Sequence, residues 1–120
     1  MPIPVVVVAN DAGTATRLAS LLPDDAFVVA QSTPTSVPDG LPGLFIIALP
    51  GLETPEEALI ERLRADEATA DIPIVIASAL PMVQLQSVPY AADWTIAIVE
   101  EPVRPEVLAA TITFLLNPES

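Results

Sequence analysis

Four short apolar runs constrain the fold of this chain more than any other feature of its sequence. Each run is six or seven residues long, which is too short to cross a bilayer but is the usual length of a buried β-strand. The runs are apolar almost throughout, and strands buried on both faces have this pattern. They therefore predict a parallel sheet covered by helices. The runs are Ile3–Ala9, Leu44–Leu49, Ile72–Ala77 and Trp94–Val99.

Helical patterns alternate with these strands. The strongest helix signal is at residues 54–57, where Thr54 can cap a helix, Pro55 takes its first position and Glu57 stands three residues after the cap. The predicted helices are Thr14–Leu22, Thr54 to about Asp66 or Ala68, and Pro105–Leu116. The predicted strands are Ile3–Ala9, Ala26–Gln31, Gly43–Leu49, Ile72–Ser78 and Trp94–Val99.

Five strands alternating with helices predict an α/β fold in which residues 1–120 form a single domain. Right-handed crossovers then give one doubly wound, five-stranded parallel sheet with the strand order 2-1-3-4-5. Residues 32–43 are rich in proline and residues 80–93 are poorly periodic. The second helix of such a fold is therefore predicted to be missing or one turn long, and the fourth to be irregular. Any functional site is expected at the carboxyl ends of the first, third and fourth strands.

The residue types that this chain lacks exclude several kinds of chemistry. It contains no histidine, cysteine or lysine, and its four basic residues are all arginines. It therefore lacks the side chains of a Ser-His-Asp triad, a thiolate nucleophile, an ordinary zinc site, a Schiff base and a P-loop. The sequence predicts a protein that is not an enzyme and that holds no metal or cofactor.

Sixteen acidic residues give the chain a formal net charge of −12. This charge repels phosphate backbones, so nucleic-acid binding is not expected. Two interpretations of the acidic surface remain: it keeps the protein soluble, or it binds a basic protein partner.

The doublets Asp24-Asp25, Glu56-Glu57 and Glu100-Glu101 are expected to be solvated or to lie at helix starts. The opening MPIPVVVV lacks the basic region of a signal peptide. We therefore expect a cytoplasmic location and no association with a membrane.

The order of these elements and several short motifs resemble the receiver domain of bacterial response regulators. The segment LIERLRADEATADIPIVIASA at 59–79 resembles the third helix, the next loop and the fourth strand of receivers. VVVVANDAG at 5–13 is similar to their first strand and acidic turn, LPGLE at 49–53 to the loop after the third strand, and EEPVRPEVL at 100–108 to the loop before the last helix. The resemblance extends over nearly the whole chain.

The resemblance also implies a phosphorylation site, most of which is replaced in this chain. In receivers, two carboxylates after the first strand hold Mg²⁺, and an aspartate ending the third strand accepts the phosphoryl group. A serine or threonine ending the fourth strand binds that group, and a lysine before a proline neutralises it. The matching positions hold Ala9 and Asn10 with Asp11 just beyond, then Ala48, Ser78 and Glu101. Only Ser78 keeps the residue type that the family uses.

These replacements predict a degenerate receiver that is not phosphorylated. Ala48 has no nucleophilic group, at most Asp11 is left as a carboxylate for Mg²⁺, and Glu101 would repel a phosphoryl group. Asp11 is instead expected to cap the first helix, and Ser78 to form hydrogen bonds within the loop at its strand end.

A receiver without this site is predicted to act through its surface, as a protein–protein interaction module and most simply as a homodimer. The last helix carries no charge between Glu106 and its end, and an uncharged face on so acidic a protein is a candidate contact surface. Its residues Val107, Leu108, Thr111, Ile112 and Leu115 are expected to face the core. The candidate interface residues are Met82, Val83, Leu85, Tyr90, Ala110 and Phe114.

Two alternatives remain open from the sequence. One is a residual phosphoacceptor or metal-responsive signalling switch that uses Asp11 and nearby acids. The other is a small-ligand pocket at the same strand ends, with apolar walls.

Overall fold

The computed structural model describes residues 3–22, 25–35, 42–51, 53–80, 95–101 and 103–116. The strands are β1 (Ile3–Val8), β2 (Phe27–Ser32), β3 (Leu44–Leu49), β4 (Ile74–Ser78) and β5 (Ile96–Glu100). The helices are α1 (Ala12–Ala19), α2 (Pro55–Ala65) and α3 (Pro105–Leu116). Within these residues, none of the helices has the length and apolar character needed to cross a membrane.

The five strands form one sheet in the order β2-β1-β3-β4-β5, and every neighbouring pair is parallel. This confirms the predicted fold class and strand order. β3 and β4 are buried along their whole length, which explains their continuous apolar runs. β2 lies at an edge and alternates between half-buried and exposed residues, with Val28 59% exposed.

Successive side chains of the strands point to opposite faces of the sheet and build two separate cores. The first core lies between the sheet and helices α1 and α3, and the second lies between the sheet and α2. Helices therefore cover both faces, as a doubly wound fold requires. Large members of the first core are Val5, Val7, Leu18, Ile46, Leu108 and Ile112. Large members of the second are Val6, Phe45, Ile47, Leu59, Ile60 and Ile76.

Helix α1 begins two residues earlier than predicted because Asp11 caps it. The Asp11 carboxylate accepts a hydrogen bond from the backbone N–H of Thr14 at 3.0 Å. Ser20 closes the helix, and the N–H groups of Leu21 and Leu22 turn back to carbonyls only three residues earlier. The predicted cap is thus confirmed, and the predicted extension to Leu22 is replaced by a tight final turn.

Helix α2 begins as its sequence predicts. Thr54 is the N-cap, its hydroxyl accepts a hydrogen bond from Glu57 N–H at 3.3 Å, and Pro55 follows in the first turn. The Glu57 carboxylate accepts a hydrogen bond at 2.9 Å from the N–H of Glu53, whose φ of 58° lies in the left-handed region. Two side chains therefore fix the loop that joins β3 to α2.

The loop between α2 and β4 is fixed by Arg64, which also delays the start of the strand. Its guanidinium donates to the carbonyl of Ile72 at 2.8 Å and to the Thr95 hydroxyl at 2.7 Å. Ile72 N–H bonds back to Thr69, so residue 72 belongs to a turn. β4 consequently begins at Ile74, two residues later than predicted.

Parts of the predicted segments at 32–43 and 80–93 lie outside the described residues, namely 36–41 and 81–93. Residues 33–35, 42 and 43 belong to no helix or strand, as the proline-rich sequence predicts.

In α3, Leu108 and Ile112 are buried as expected, but Val107 is 41% exposed. Because α3 is apolar all round, its periodicity does not reveal which apolar residues face outward.

Candidate functional site

A cavity of about 270 Å³ lies at the carboxyl edge of the sheet, where β1, β3 and β4 end. Ligands of doubly wound sheets usually bind at this position. Alanines supply much of its wall, namely Ala9, Ala48, Ala77 and Ala79. Three acidic residues also line it, namely Asp11, Glu56 and Glu101. Asn10, Thr14, Leu49 and Pro50 complete the lining.

Ala48 leaves space at the centre of this edge. It pairs with Ala77 across β3 and β4, so two neighbouring strands both end near a methyl group. Ala48 is 8% exposed, and no nucleophilic or metal-binding atom stands at its position.

Asp11 lies on the wall of the cavity, but its carboxylate is already engaged. One of its oxygens, Oδ2, accepts hydrogen bonds from the hydroxyl and the N–H of Thr14, both at 3.0 Å. These bonds, first from the hydroxyl and then from the backbone, hold the pKa of Asp11 below its ordinary value of 3.8. Asp11 is therefore an ionised helix cap at neutral pH.

Ser78 is buried at the end of β4 and is not among the residues that line the cavity. Its hydroxyl donates to the carbonyl of Leu80 and accepts from the N–H of the same residue, both at 2.9 Å. The hydroxyl therefore closes the turn after β4, and its hydrogen bonds are used within that turn.

Glu101 forms a salt bridge with the first helix. Arg17 Nη2 lies 2.8 Å from Glu101 Oε1, with the arginine side chain 53% exposed and the glutamate side chain 21% exposed. The backbone N–H of Glu101 donates to the carbonyl of Ser78 at 2.8 Å. The Glu101 carboxylate thus has a cationic partner from this chain.

Glu56 is the residue of this site that sequence reasoning missed. We expected the Glu56-Glu57 doublet to be solvated or to start a helix. Both residues do lie in the first turn of α2, but Glu56 is 1% exposed, and within the described part of the chain neither of its carboxylate oxygens has a hydrogen-bond partner. The spacing of the buried α2 residues Leu59, Ile60 and Leu63 gave the available signal, because position 56 precedes Leu59 and Ile60 by three and four residues on the same helix face.

Burial of Glu56 as an anion has an energetic cost. Burying an ionised carboxylate without a partner costs several kcal/mol even after relaxation. The N-terminus of a helix contributes typically about 0.3–1 kcal/mol to a nearby anion, which is smaller. The position of Glu56 in the first turn of α2 therefore offsets only part of this cost.

The residues at this edge do not fit the Mg²⁺ site that the resemblance implies. Magnesium needs several hard oxygen ligands in octahedral geometry, but Ala9 and Ala48 offer none and Asp11 is engaged as a cap. Across the described ranges, no group of three or more acidic residues is placed to hold a metal ion.

The predicted interface residues fall into two groups. Met82, Val83, Leu85 and Tyr90 lie outside the described residues. Ala110 and Phe114 are both exposed on α3, and Phe114 is 62% exposed. Val107, seven residues before Phe114, lies on the same side of the helix and is also exposed. The structure therefore brings together Val107, Ala110 and Phe114, which we call the α3 stripe.

Several solved receiver domains and response regulators have a similar fold. The signal receiver domain of a signal transduction histidine kinase from Syntrophus aciditrophicus is 19% identical with a TM-score of 0.78, and the match covers 98% of this chain and 92% of that one. A chemotaxis response regulator of Vibrio cholerae is 13% identical with a TM-score of 0.77, covering 96% and 99%. A CheY-like receiver domain protein from Methanospirillum hungatei JF-1 is 14% identical with a TM-score of 0.76, covering 98% and 96%.

These likenesses show that the chain has the fold of a receiver domain. No protein-family model matches the sequence, and no curated protein matches it.

Proposed function

We propose that this chain, which has the receiver fold, is a degenerate receiver that works without phosphorylation and acts in signal transduction by binding protein, in the simplest form a second copy of itself. The proposal assigns it no enzymatic activity and a cytoplasmic location. The observation that carries it is the alanine at the end of β3, where receivers place the aspartate that is phosphorylated. Ala48 can form no bond to phosphorus, and the remaining acids at this edge repel phosphate.

The salt bridge between Arg17 and Glu101 further supports independence from phosphorylation. In receivers a lysine at this position attracts the phosphoryl group. Here a glutamate takes its place, and Arg17 contacts that glutamate at 2.8 Å. The charge of Glu101 is therefore balanced by Arg17 of the same chain, without an added anion.

The α3 stripe supports self-association. Its apolar side chains are exposed, and α3 carries no charge after Glu106. The hydroxyls of Thr111 and Thr113 donate to carbonyls one turn earlier, at 2.8 and 2.9 Å. The hydroxyl protons of these threonines are therefore used within the helix, and the remaining exposed side chains of this face are uncharged.

Net charge favours this face as the contact between two copies. Each chain carries a formal charge of −12, so most pairings of two copies bring like charges together. A contact through the uncharged face of α3 avoids this repulsion and buries apolar area. A two-fold arrangement also lets the same patch serve on both chains.

The test is the solution mass, measured by light scattering over a wide range of protein concentration in low and high salt. We expect a dimer that persists in both salts, because its contact is apolar. Phe114→Glu should give a monomer. Val28→Glu is the matched control, because it adds the same charge to an equally exposed apolar side chain on β2, and it should leave the dimer intact.

Either of two results would contradict the dimer proposal. A monomer at every concentration would mean that α3 does not pair with itself. Dissociation by Val28→Glu, with no effect of Phe114→Glu, would place the contact at the sheet edge. Melting curves of both variants establish that each remains folded.

A residual phosphoacceptor or metal-responsive switch is the second candidate, and the three acids that line the cavity favour it. A titration with Mg²⁺ and beryllofluoride, followed by amide NMR, separates it from the first. Saturable shifts around Asp11, Ala48 and Ser78 would support the switch, whereas unchanged spectra would support independence from phosphorylation.

A further inference from the structure

We propose that the cavity at the carboxyl edge binds a small organic cation of the primary ammonium class, with Glu56 as its counter-ion. The inference concerns the cavity and not the α3 stripe, so it goes beyond the interaction role proposed above. Its test is a ligand titration, whereas the dimer proposal is tested by solution mass.

The first step is the state of Glu56. Its side chain lines the cavity and is 1% exposed, and its two carboxylate oxygens have no hydrogen-bond partner among the described residues. The other two acids in the lining already have partners. Asp11 accepts from Thr14 at 3.0 Å and Glu101 pairs with Arg17 at 2.8 Å. Of the three, Glu56 is the carboxylate left for a ligand.

The second step is the sign of the ligand's charge. A buried carboxylate without a partner is stabilised by a cation that also donates hydrogen bonds. Three acidic side chains line the cavity, so an anionic ligand such as a phosphate or a small acid would be repelled. Both oxygens of Glu56 are covered by protein in this structure, so binding requires its carboxylate to turn toward the cavity that the side chain already lines.

The third step is the kind of cation. The volume of about 270 Å³ is far more than one ion fills, and the described residues offer no group of three ligands for a metal. The alanine walls, formed by Ala9, Ala48 and Ala77, suit a short hydrocarbon chain. An ammonium group on a few carbons satisfies both features, because its head can donate to the carboxylate while its chain contacts the methyl groups.

The experiment is an NMR titration of the full chain with n-butylammonium chloride at constant ionic strength. Selectively labelled alanine methyls report on Ala9, Ala48 and Ala77. We expect saturable shifts at these methyls and binding tighter than that of neutral n-butanol by about tenfold or more, because butanol forms no charge-assisted hydrogen bond.

Two variants assign the effect to Glu56. Glu56→Gln keeps the shape of the side chain, removes its charge, and should weaken n-butylammonium binding by about tenfold or more. Glu61→Gln is the matched control, because Glu61 lies on the same helix but is exposed. It removes the same charge and should leave binding unchanged.

Four results would overturn the proposal. They are no saturable shift at any alanine methyl, equal binding of n-butanol, unchanged binding to Glu56→Gln, and competition by Mg²⁺ at the same methyls. The first would mean that the cavity takes no such cation, and the second that it is merely apolar. The third would leave only diffuse attraction to an acidic protein, and the fourth would point to a metal site.

Discussion

Arg17 on the first helix and Glu101 after the last strand form a salt bridge with 2.8 Å between Nη2 and Oε1, although 84 positions separate them in the sequence. The bridge joins α1 to the loop that leads into α3, across the carboxyl edge of the sheet. The resemblance to receivers implies a lysine at the position of Glu101, and the proposed degenerate site has the opposite charge there. At this corner the acidic Glu101 pairs with Arg17, where a basic residue would instead bind an anion.

Disruption of this bridge should cost little stability. Exposed ion pairs contribute at most about 1 kcal/mol, and the Arg17 side chain is 53% exposed. A double-mutant cycle with Arg17→Gln and Glu101→Gln, followed by urea unfolding, should give a coupling energy below about 1 kcal/mol. The pair Arg104 and Glu106, 3.8 Å apart and more exposed, is the control and should give a smaller coupling. A coupling well above this limit would mean that the bridge organises the whole edge.

Replacement of Glu56 by an apolar residue should stabilise the protein. Glu56→Met keeps most of the side-chain volume and removes two buried oxygens for which the described ranges supply no hydrogen-bond partner. We expect the free energy of unfolding at neutral pH to rise by about 1–3 kcal/mol. Glu61→Met, on the exposed face of α2, should change it by less than about 0.5 kcal/mol. A loss of stability in Glu56→Met would show that the carboxylate makes a favourable contact in the folded state.

The stability that Asp11 contributes should disappear in acid. Hydrogen bonds from Thr14 hold the pKa of Asp11 below 3.8 in the folded chain. Such a group contributes stability that is fully present above its ordinary pKa and is lost as the pH falls through the lower, folded value. The difference in unfolding free energy between the parent and Asp11→Asn should therefore be constant at neutral pH and should shift below pH 3.8, in the direction that disfavours the parent. Urea titrations across this range would detect it, and a pH-independent difference would contradict it.

Introduction of an aspartate at position 48 alone should not produce phosphorylation chemistry. Ala48→Asp adds a carboxylate to a cavity that three acids already line, and we expect it to lower stability by about 1–3 kcal/mol. The variant should give no Mg²⁺-dependent change in its amide spectrum with beryllofluoride.

The triple variant Asn10→Asp, Ala48→Asp and Glu101→Lys is the matched comparison, because it adds the missing acid and reverses the charge that opposes phosphate. It should gain the response. A response from Ala48→Asp alone would mean that Glu101 is no barrier and would weaken the proposed independence from phosphorylation.

Local signals in the sequence were sufficient for the fold. The cap at Thr54 and Pro55 depends on neighbouring residues, and the structure reproduces it. The strand order follows from alternating strands and helices together with the handedness of their crossovers. The predicted starts of α1 and β4 were less accurate. Near these starts the side chains of Asp11 and Arg64 form hydrogen bonds with the backbone.

The site was harder to predict because its contacts join distant segments. Nothing near Arg17 in the sequence indicates Glu101 as its partner. The burial of Glu56 was missed because an acid in the first turn of a helix is ordinarily solvated and stabilised by the helix dipole. Val107 was assigned to the core because α3 has few polar residues to mark its outer side.

The position of β2 at the edge of the sheet gives the net charge a further consequence, which concerns aggregation. β2 is an edge strand with Val28 59% exposed, and exposed strand edges are templates for aggregation. Ionised acids keep two such edges apart, but most carboxylates become protonated below about pH 4. Near neutral pH we expect the same repulsion to favour the uncharged face of α3, the contact proposed above for two copies. We expect the acidic surface to protect the strand edge only while its carboxylates remain ionised.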